Sequence, residues 1–312
     1  MIVTYAAGPL LAEAGGVGLA LPPGALVGVN VLLAVIMVGV ALELDLRELR
    51  HAFLVPLGPL IGLLAQVLLL PAASYLLIRL LDPAPAVALG MLIVACAPGG
   101  AVSNVVTHLA RANASLSIAL TGLSTAVAAV TTPFNLAFWG SRLPSVDPLL
   151  RAVALDPLQL LGLLLVVLAL PVAVGVTLQV RAPGLTRRLI PPLRVVAAVG
   201  LLVLVVGALA ANAGHILAAV GSVALAVVAH NALGLLLGNG AGRLAGLPRR
   251  DQRALALEVG MQNSALSLTI ALTFFGHLPE AALVAAFWGI WHLIAGLALA
   301  RVWSGRPLWR PA

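Results

Sequence analysis

Nine stretches of about twenty consecutive, mostly apolar residues leave this chain few ways to fold. They lie near 25–44, 52–80, 85–109, 114–140, 149–180, 195–212, 217–240, 252–275 and 278–300, separated by arginine, proline and glycine clusters. A helix needs roughly 20 such residues to cross the hydrocarbon of a bilayer, where the backbone must satisfy its own hydrogen bonds. The expected fold class is therefore an all-α membrane protein, with the lipid bilayer as its first partner. Residues 1–20 read as a short or incomplete tenth span, because Pro9, Glu13, Gly15, Gly16 and Gly18 weaken it. Composition closes the other routes. With 62% apolar and 9% charged residues among 312 and a mean hydropathy of +1.14, there is too little charge to cover a water-exposed surface, which excludes a disordered chain and an ordinary cytosolic enzyme. The single cysteine, Cys96, lies in an apolar run and allows no intramolecular disulfide.

The net charge of +7 is carried by arginine alone on the basic side. These side chains sit between the apolar runs, so they report topology, and no nucleic-acid partner is expected. Fourteen, among them Arg47, Arg111, Arg187, Arg250 and Arg301, fall in alternate connections, against Arg79, Arg142 and Arg151 at the opposite ends. By the positive-inside rule the fourteen mark the cytoplasmic side, which puts the C-terminus there. Residues 1–20 carry no Lys or Arg, so no targeting peptide is expected. Arginine without lysine, together with abundant Ala, Leu and Gly, suggests a high-GC bacterial genome and hence a multi-pass protein of the bacterial inner membrane.

Two runs are interrupted where a spanning helix should be continuous: at Ala97-Pro98-Gly99-Gly100-Ala101-Val102-Ser103-Asn104, and at Glu258-Val259-Gly260-Met261-Gln262-Asn263-Ser264. Proline removes a backbone donor and glycine loosens the helix, and such backbone survives at membrane depth only inside protein or along a cavity. Asn104 and Asn263 are 159 residues apart, and Gln66 and Asn231, mid-membrane polar residues of the preceding runs, are 165 apart. The similar offsets suggest a duplicated unit of five spans, an odd number that inverts the second copy. That is the organisation of secondary transporters with paired discontinuous helices. The first repeat would cover 1–148, the second 149–301, and a cytoplasmic tail 302–312.

Of ten acidic residues, Glu258 stands apart, inside a span and beside a break. An unpaired charge there costs on the order of 3 kcal/mol on insertion scales. No lysine exists, and the nearest arginine in sequence, Arg253, is five residues earlier near the membrane surface, so a bound metal ion or a proton is the expected counter-charge. Uncharged oxygen donors accompany it: Ser103 and Asn104 at the first break, Ser117 and Thr121 at i and i+4 of the following span, and Gln262 nearby. One carboxylate with amides, hydroxyls and freed carbonyls fits Na+ better than zinc, iron or magnesium, with a proton as the competing counter-charge. His108 and His230 read as helix-to-helix hydrogen-bonding groups. His292 follows Trp291 in the last span, near the second break by the repeat. His51, His215 and His277 read as loop residues.

At these positions the chain resembles the bile acid:sodium symporter family, from about Leu26 to Ala300. The Pro-Gly-Gly-x-x-Ser-Asn stretch of Pro98 to Asn104, followed by Leu109-Ala110-Arg111-x-Asn113, and the Glu-Val-Gly-Met-Gln-Asn-Ser stretch of Glu258 to Ser264 carry the resemblance. It implies nine or ten spans in a panel domain, about 1–50 and 149–212, and a core domain, about 51–140 and 217–301, with the broken helices crossing in the core. It also implies two Na+ ions. One would lie among Ser103, Asn104, Ser117, Thr121 and Glu258; the other among Gln66, Glu258, Gln262 and the carbonyls of Val259 and Met261. The implied activity is sodium-coupled symport of a small organic anion by a monomer whose core moves against its panel. Substrate contacts would fall at Ala101, Asn263 and His292. Similar bacterial members carry a hydroxyl residue at the position of Ala101 and an asparagine at that of Leu293, so the choice among bile acid, pantoate-like acid and other anions stays open. The alternatives are a proton-coupled or uncoupled carrier and a sensor that binds without transporting. An enzyme is not expected, since no nucleophile–base pair, HExxH or paired aspartates fall within the spans.

Overall fold

A computed structural model describes residues 57–153, 173–211 and 213–305, with isolated positions at 35, 38, 39, 42 and 170. The expected span near 25–44, most of that near 149–180, the segment 1–20 and the tail beyond 305 lie outside the described residues, and with them most of the expected panel domain. The described chain forms α1 (Leu57–Leu81), α2 (Pro85–Cys96), α3 (Ala101–Leu109), α4 (Ala114–Gly140), α5 (Asp147–Val153), α6 (Pro183–Ala211), α7 (Ala213–Leu244), α8 (Arg249–Gly260), α9 (Ser264–Phe274) and α10 (Pro279–Ser304).

Among the described residues four helices are long and apolar enough to cross a membrane: α1, α4, α10 and residues Gly221–Leu244 of α7. Their faces identify the solvent. On α1, Leu57, Leu60, Leu64, Leu68, Leu76 and Leu80 are exposed, while Gly58, Gly62, Ala65, Gln66 and Ser74 are buried. Large apolar side chains outside, with small and polar ones inside, is the arrangement lipid favours and water forbids. Helix α2 has no such face. Every residue from Val87 to Cys96 is buried, enclosed by α1, α4, α9 and α10. Helices α7 and α8 approach closely because Gly234 and Gly238 carry no side chain: a Cβ on Gly234 would lie 2.9 Å from the Val259 carbonyl oxygen, and one on Gly238 would strike that of Leu255.

Both expected breaks are present and narrower than the motifs that announced them, spanning Ala97–Gly100 and Met261–Asn263. They cross as a two-residue antiparallel bridge, Gly99 opposite Gln262. Gly100 N–H donates to the Met261 carbonyl at 3.1 Å, and Asn263 N–H donates to the Pro98 carbonyl at 2.8 Å. A local two-fold exchanges these bonds and maps 98–100 onto 261–263. The offset at the crossing is thus 163 (262 minus 99), which pairs Asn104 with Ser267 and Asn263 with Gly100. The correspondence of Asn104 with Asn263, read from a spacing of 159, does not hold at the crossing.

Two further expectations change. Arg187, Arg188 and Arg194, read as part of a connection, lie within α6. Arginine is a good helix former, so the helix continues past the apolar window that locates its lipid-facing part. His215, read as a loop residue, lies in α7, whereas His277 does lie in the turn between α9 and α10.

Candidate functional site

The site grows from helix ends that cannot satisfy their own backbone groups. Helices α2 and α8 present their C-terminal ends to the crossing, and α3 and α9 start from it. Side chains from elsewhere take up the freed carbonyls. Asn231 Nδ2 on α7 donates to the Gly260 carbonyl at 2.7 Å, Gln262 Nε2 to that of Val259 at 2.8 Å, and Thr132 Oγ1 on α4 to that of Cys96 at 2.7 Å. Ser124 Oγ on α4 accepts Gly99 N–H at 3.2 Å.

Glu258 lies within the last turn of α8 and is fully buried. Its carboxylate points across the crossing to α3 and α4. Ser103 Oγ and Ser117 Oγ donate to Oε2 at 2.6 and 2.8 Å, and Thr121 Oγ1 donates to Oε1 at 2.5 Å. The same hydroxyls also approach other acceptors. Ser103 Oγ lies 2.8 Å from the Gly100 carbonyl, Ser117 Oγ 2.8 Å from Asn104 Oδ1, and Thr121 Oγ1 3.1 Å from both Asn104 Oδ1 and the Ser117 carbonyl. Each hydroxyl has one proton. Seven oxygen–oxygen pairs therefore share three protons, and most of these close approaches have no hydrogen between them. Thr107 Oγ1 brings its own proton to Ser117 Oγ at 3.3 Å, which leaves the balance unchanged. Oxygens crowded beyond their supply of protons, around one carboxylate, are what a hard cation coordinates.

A second group lies on the other side of Gly99. Gln66 Nε2 reaches Gln262 Oε1 at 3.2 Å and the Glu258 carbonyl at 3.4 Å, while its Oε1 is buried and has no hydrogen-bond partner among the described residues. The carbonyls of Val259 and Met261 accept from Gln262 Nε2 and Gly100 N–H, each keeping one lone pair. A Cβ on Gly99 would strike Glu258 Oε1 and lie 3.1 Å from Gln66 Nε2. Gly99 thus lies between the Glu258 carboxylate and the Gln66 amide, with no room for a side chain.

The three expected substrate positions differ in exposure. Ala101 is exposed at the start of α3, whereas Asn263 and His292 are buried. Asn263 Oδ1 caps α9 by accepting Leu266 N–H at 3.0 Å, so its Nδ2 must point away from the helix; among the described residues it has no protein partner. His292 shares a face of α10 with Gly289 and Gly296. A Cβ at Gly289 would lie 3.0 Å from Ser264 Oγ, and one at Gly296 would lie 2.8 Å from Met261 Sδ, which puts His292 at the level of the second break. No hydrogen bond joins these three residues among those described. His230, by contrast, bonds within the bundle: its Nε2 lies 2.7 Å from Ser74 Oγ, and its ring packs 4.9 Å from that of Trp288. The Ser74 hydroxyl also lies 2.6 Å from the Leu70 carbonyl.

Sequence reasoning passed over Ser124, Thr132 and Asn135, the residues of α4 that hold the breaks and α1. Their signal is a polar stripe down a helix otherwise rich in apolar residues, continuing the face of Ser117 and Thr121.

A model of the Sodium Bile acid symporter family matches residues 30–219. Among similar curated proteins, the uncharacterized sodium-dependent transporter YocS of Bacillus subtilis is 30% identical over 276 residues, covering 88% of this chain and 83% of its own length. The probable sodium/metabolite cotransporter BASS1, chloroplastic, of Oryza sativa is 34% identical over 271 residues, covering 87% of this chain. The chain spans 64% of that rice protein, less than two thirds of its length. The human ileal sodium/bile acid cotransporter is 28% identical over 281 residues, covering 88% of this chain and 77% of its own.

Proposed function

The chain belongs to the sodium bile acid symporter family, and on that premise we propose that it is a sodium-coupled secondary transporter of a small organic anion, taking two Na+ ions with each substrate. The observation that carries this reading is the proton deficit around Glu258. Three hydroxyls and the Asn104 amide oxygen converge on a buried carboxylate with too few hydrogens to hold them apart. A proton on Glu258 would add one hydrogen and still leave close oxygen pairs without any. A sodium ion among Ser103, Asn104, Ser117, Thr121 and Glu258 supplies the missing positive charge, and a second, among Gln66, Gln262, Glu258 and the carbonyls of Val259 and Met261, would engage the unpartnered Gln66 Oε1.

Helix dipoles favour both cargoes at one crossing. The C-terminal ends of α2 and α8 are negative and suit a cation, while the N-terminal ends of α3 and α9 are positive and suit a carboxylate or sulfonate. Bound ions would fix the breaks and orient the Asn263 amide, so ion and anion binding become cooperative. The anion would lie near Ala101, Asn263 and His292. Two Na+ with one monovalent anion move one net charge inward, worth roughly 2.3 kcal/mol per 100 mV beyond the sodium gradient itself. Transport would follow from movement of the core against the panel in a bacterial plasma membrane, with the C-terminus cytoplasmic and the monomer as the working unit.

The test is uptake into proteoliposomes of labelled anions, including bile acids, hydroxy acids and keto acids, with inward NaCl or KCl gradients. Accumulation in NaCl alone is expected. Uptake indifferent to sodium but driven by a pH gradient would replace this reading with a proton-coupled carrier, and saturable binding without accumulation would replace it with a sensor.

A further inference from the structure

We infer that Asn135 of α4 is a positioning residue that holds Gln66 at the second cation position, so that α4 ties the two positions together; this rests on the reading proposed above. Pro71 sets the local geometry of α1. In an α-helix the N–H of residue 71 would bond the carbonyl of residue 67, and proline has none. Helix α1 responds with a π-helical turn over Ala65–Leu69, closed by Leu70 N–H on the Ala65 carbonyl. Such wider turns are rare and recur at functional sites. Gln66 lies inside this one, buried, and its amide reaches the second break.

The Val67 carbonyl is the acceptor that residue 71 would have served in an α-helix. Asn135 Nδ2 donates to it at 3.0 Å, from 68 residues away in sequence. A carbonyl can only accept, which fixes the orientation of the Asn135 amide. One turn earlier, Thr132 fastens the last residue of α2 through the Cys96 carbonyl. The same helix carries Ser117 and Thr121 against the Glu258 carboxylate. Thr121 and Asn135 are separated by roughly 21 Å of helix, so one rod anchors the first cation position directly and the second through the backbone next to Gln66. Asn135 itself touches neither ion position.

A merely structural role for Asn135 would be limited to satisfying Val67, and that role can be replaced. Pro71→Ala restores an N–H at residue 71, so α1 can close an ordinary turn on the Val67 carbonyl without Asn135. The experiment measures thermal stability of the purified wild type, Asn135→Leu, Pro71→Ala and the double variant, titrated with NaCl at constant total NaCl plus KCl. Asn135→Leu should lose stability and raise the half-saturating sodium concentration about tenfold. The double variant should regain stability and leave sodium affinity weakened, because the π-helical turn that presents Gln66 relaxes. If Asn135→Leu does not fold, Asn135→Gln, which keeps an amide donor but moves it by one methylene, carries the test: a sodium midpoint raised severalfold is expected, and wild-type sodium affinity overturns the inference. Wild-type sodium affinity in Asn135→Leu, or its recovery in the double variant, overturns the inference while the sodium reading stands. A wild type that responds equally to NaCl and KCl overturns both.

Discussion

Gly99→Ala tests the geometry of the crossing with a single methyl group. The backbone at Gly99 avoids the left-handed region, so alanine costs little there and the effect falls on what the methyl meets. It would strike Glu258 Oε1 and lie 3.1 Å from both Glu258 Cδ and Gln66 Nε2. A carbon–oxygen contact needs about 3.3 Å, so the carboxylate must retreat by roughly 1 Å. The movement takes Oε1 off Thr121 Oγ1, now 2.5 Å away, or else parts the bridge between Gly99 and Gln262. A carboxylate oxygen moved out of the proposed ion position removes one charged contact, taken as equal to a charge-assisted bond of about 1.5–3 kcal/mol, a loss of sodium affinity of about 10- to 150-fold. Gly100→Ala is the control on the adjacent residue: its Cβ would come no closer than 3.3 Å, to the Gln262 carbonyl. Half-saturating NaCl, read from thermal stability at constant ionic strength, should rise steeply for Gly99→Ala and change by less than about threefold for Gly100→Ala. Equal affinity in the wild type and Gly99→Ala, or equal damage from both alanines, would refute the placement of Gly99 between the two oxygen groups.

Glu258→Gln keeps the volume and removes the charge. It should abolish the difference in melting temperature between NaCl and KCl together with sodium-driven uptake, and its stability in KCl should match or exceed that of the wild type because a buried charge has gone. Asn263→Ala removes the cap of α9, which costs about 1 kcal/mol, along with the Nδ2 that no described residue engages. Thermal stability should fall by that amount in either salt, and the substrate concentration for half-maximal uptake should rise with the sodium midpoint kept.

Where the chain is strained by its own residues, the sequence was readable. Pro98 and the two glycines after it, and the polar run from Glu258 to Ser264, each interrupt an apolar stretch, and the structure breaks within both. Glu258 was identifiable because a lone carboxylate in a span without lysine demands a counter-charge. Its hydroxyl partners Ser117 and Thr121 were identifiable because a separation of four residues puts both on one face of a helix. What escaped was the register between distant segments. The spacings of 159 and 165 differ by four and by two residues from the 163 found at the bridge. A spacing between similar residue types therefore locates the pair of breaks without saying which atoms meet.

The π-helical turn escaped for a related reason, although its cause is visible in the sequence. Pro71 marks Val67 as a carbonyl without a donor, but nothing local says which group will supply one. A helix can close that deficit by kinking, by water, or by a side chain from another helix. The structure chooses Asn135, and with that choice a proline on α1, an asparagine on α4 and a glutamine facing the second break become parts of one device. Carbonyls of Glu258, Val259, Gly260 and Met261 are each met by an amide from a different place in the chain: Gln66, Gln262, Asn231 and the Gly100 backbone. An ion entering this region competes with those amides for carbonyl lone pairs, so loading it must readjust several helices together. A broken helix held by its neighbours in this way can transmit the arrival of a small cation to the surfaces where a substrate would bind.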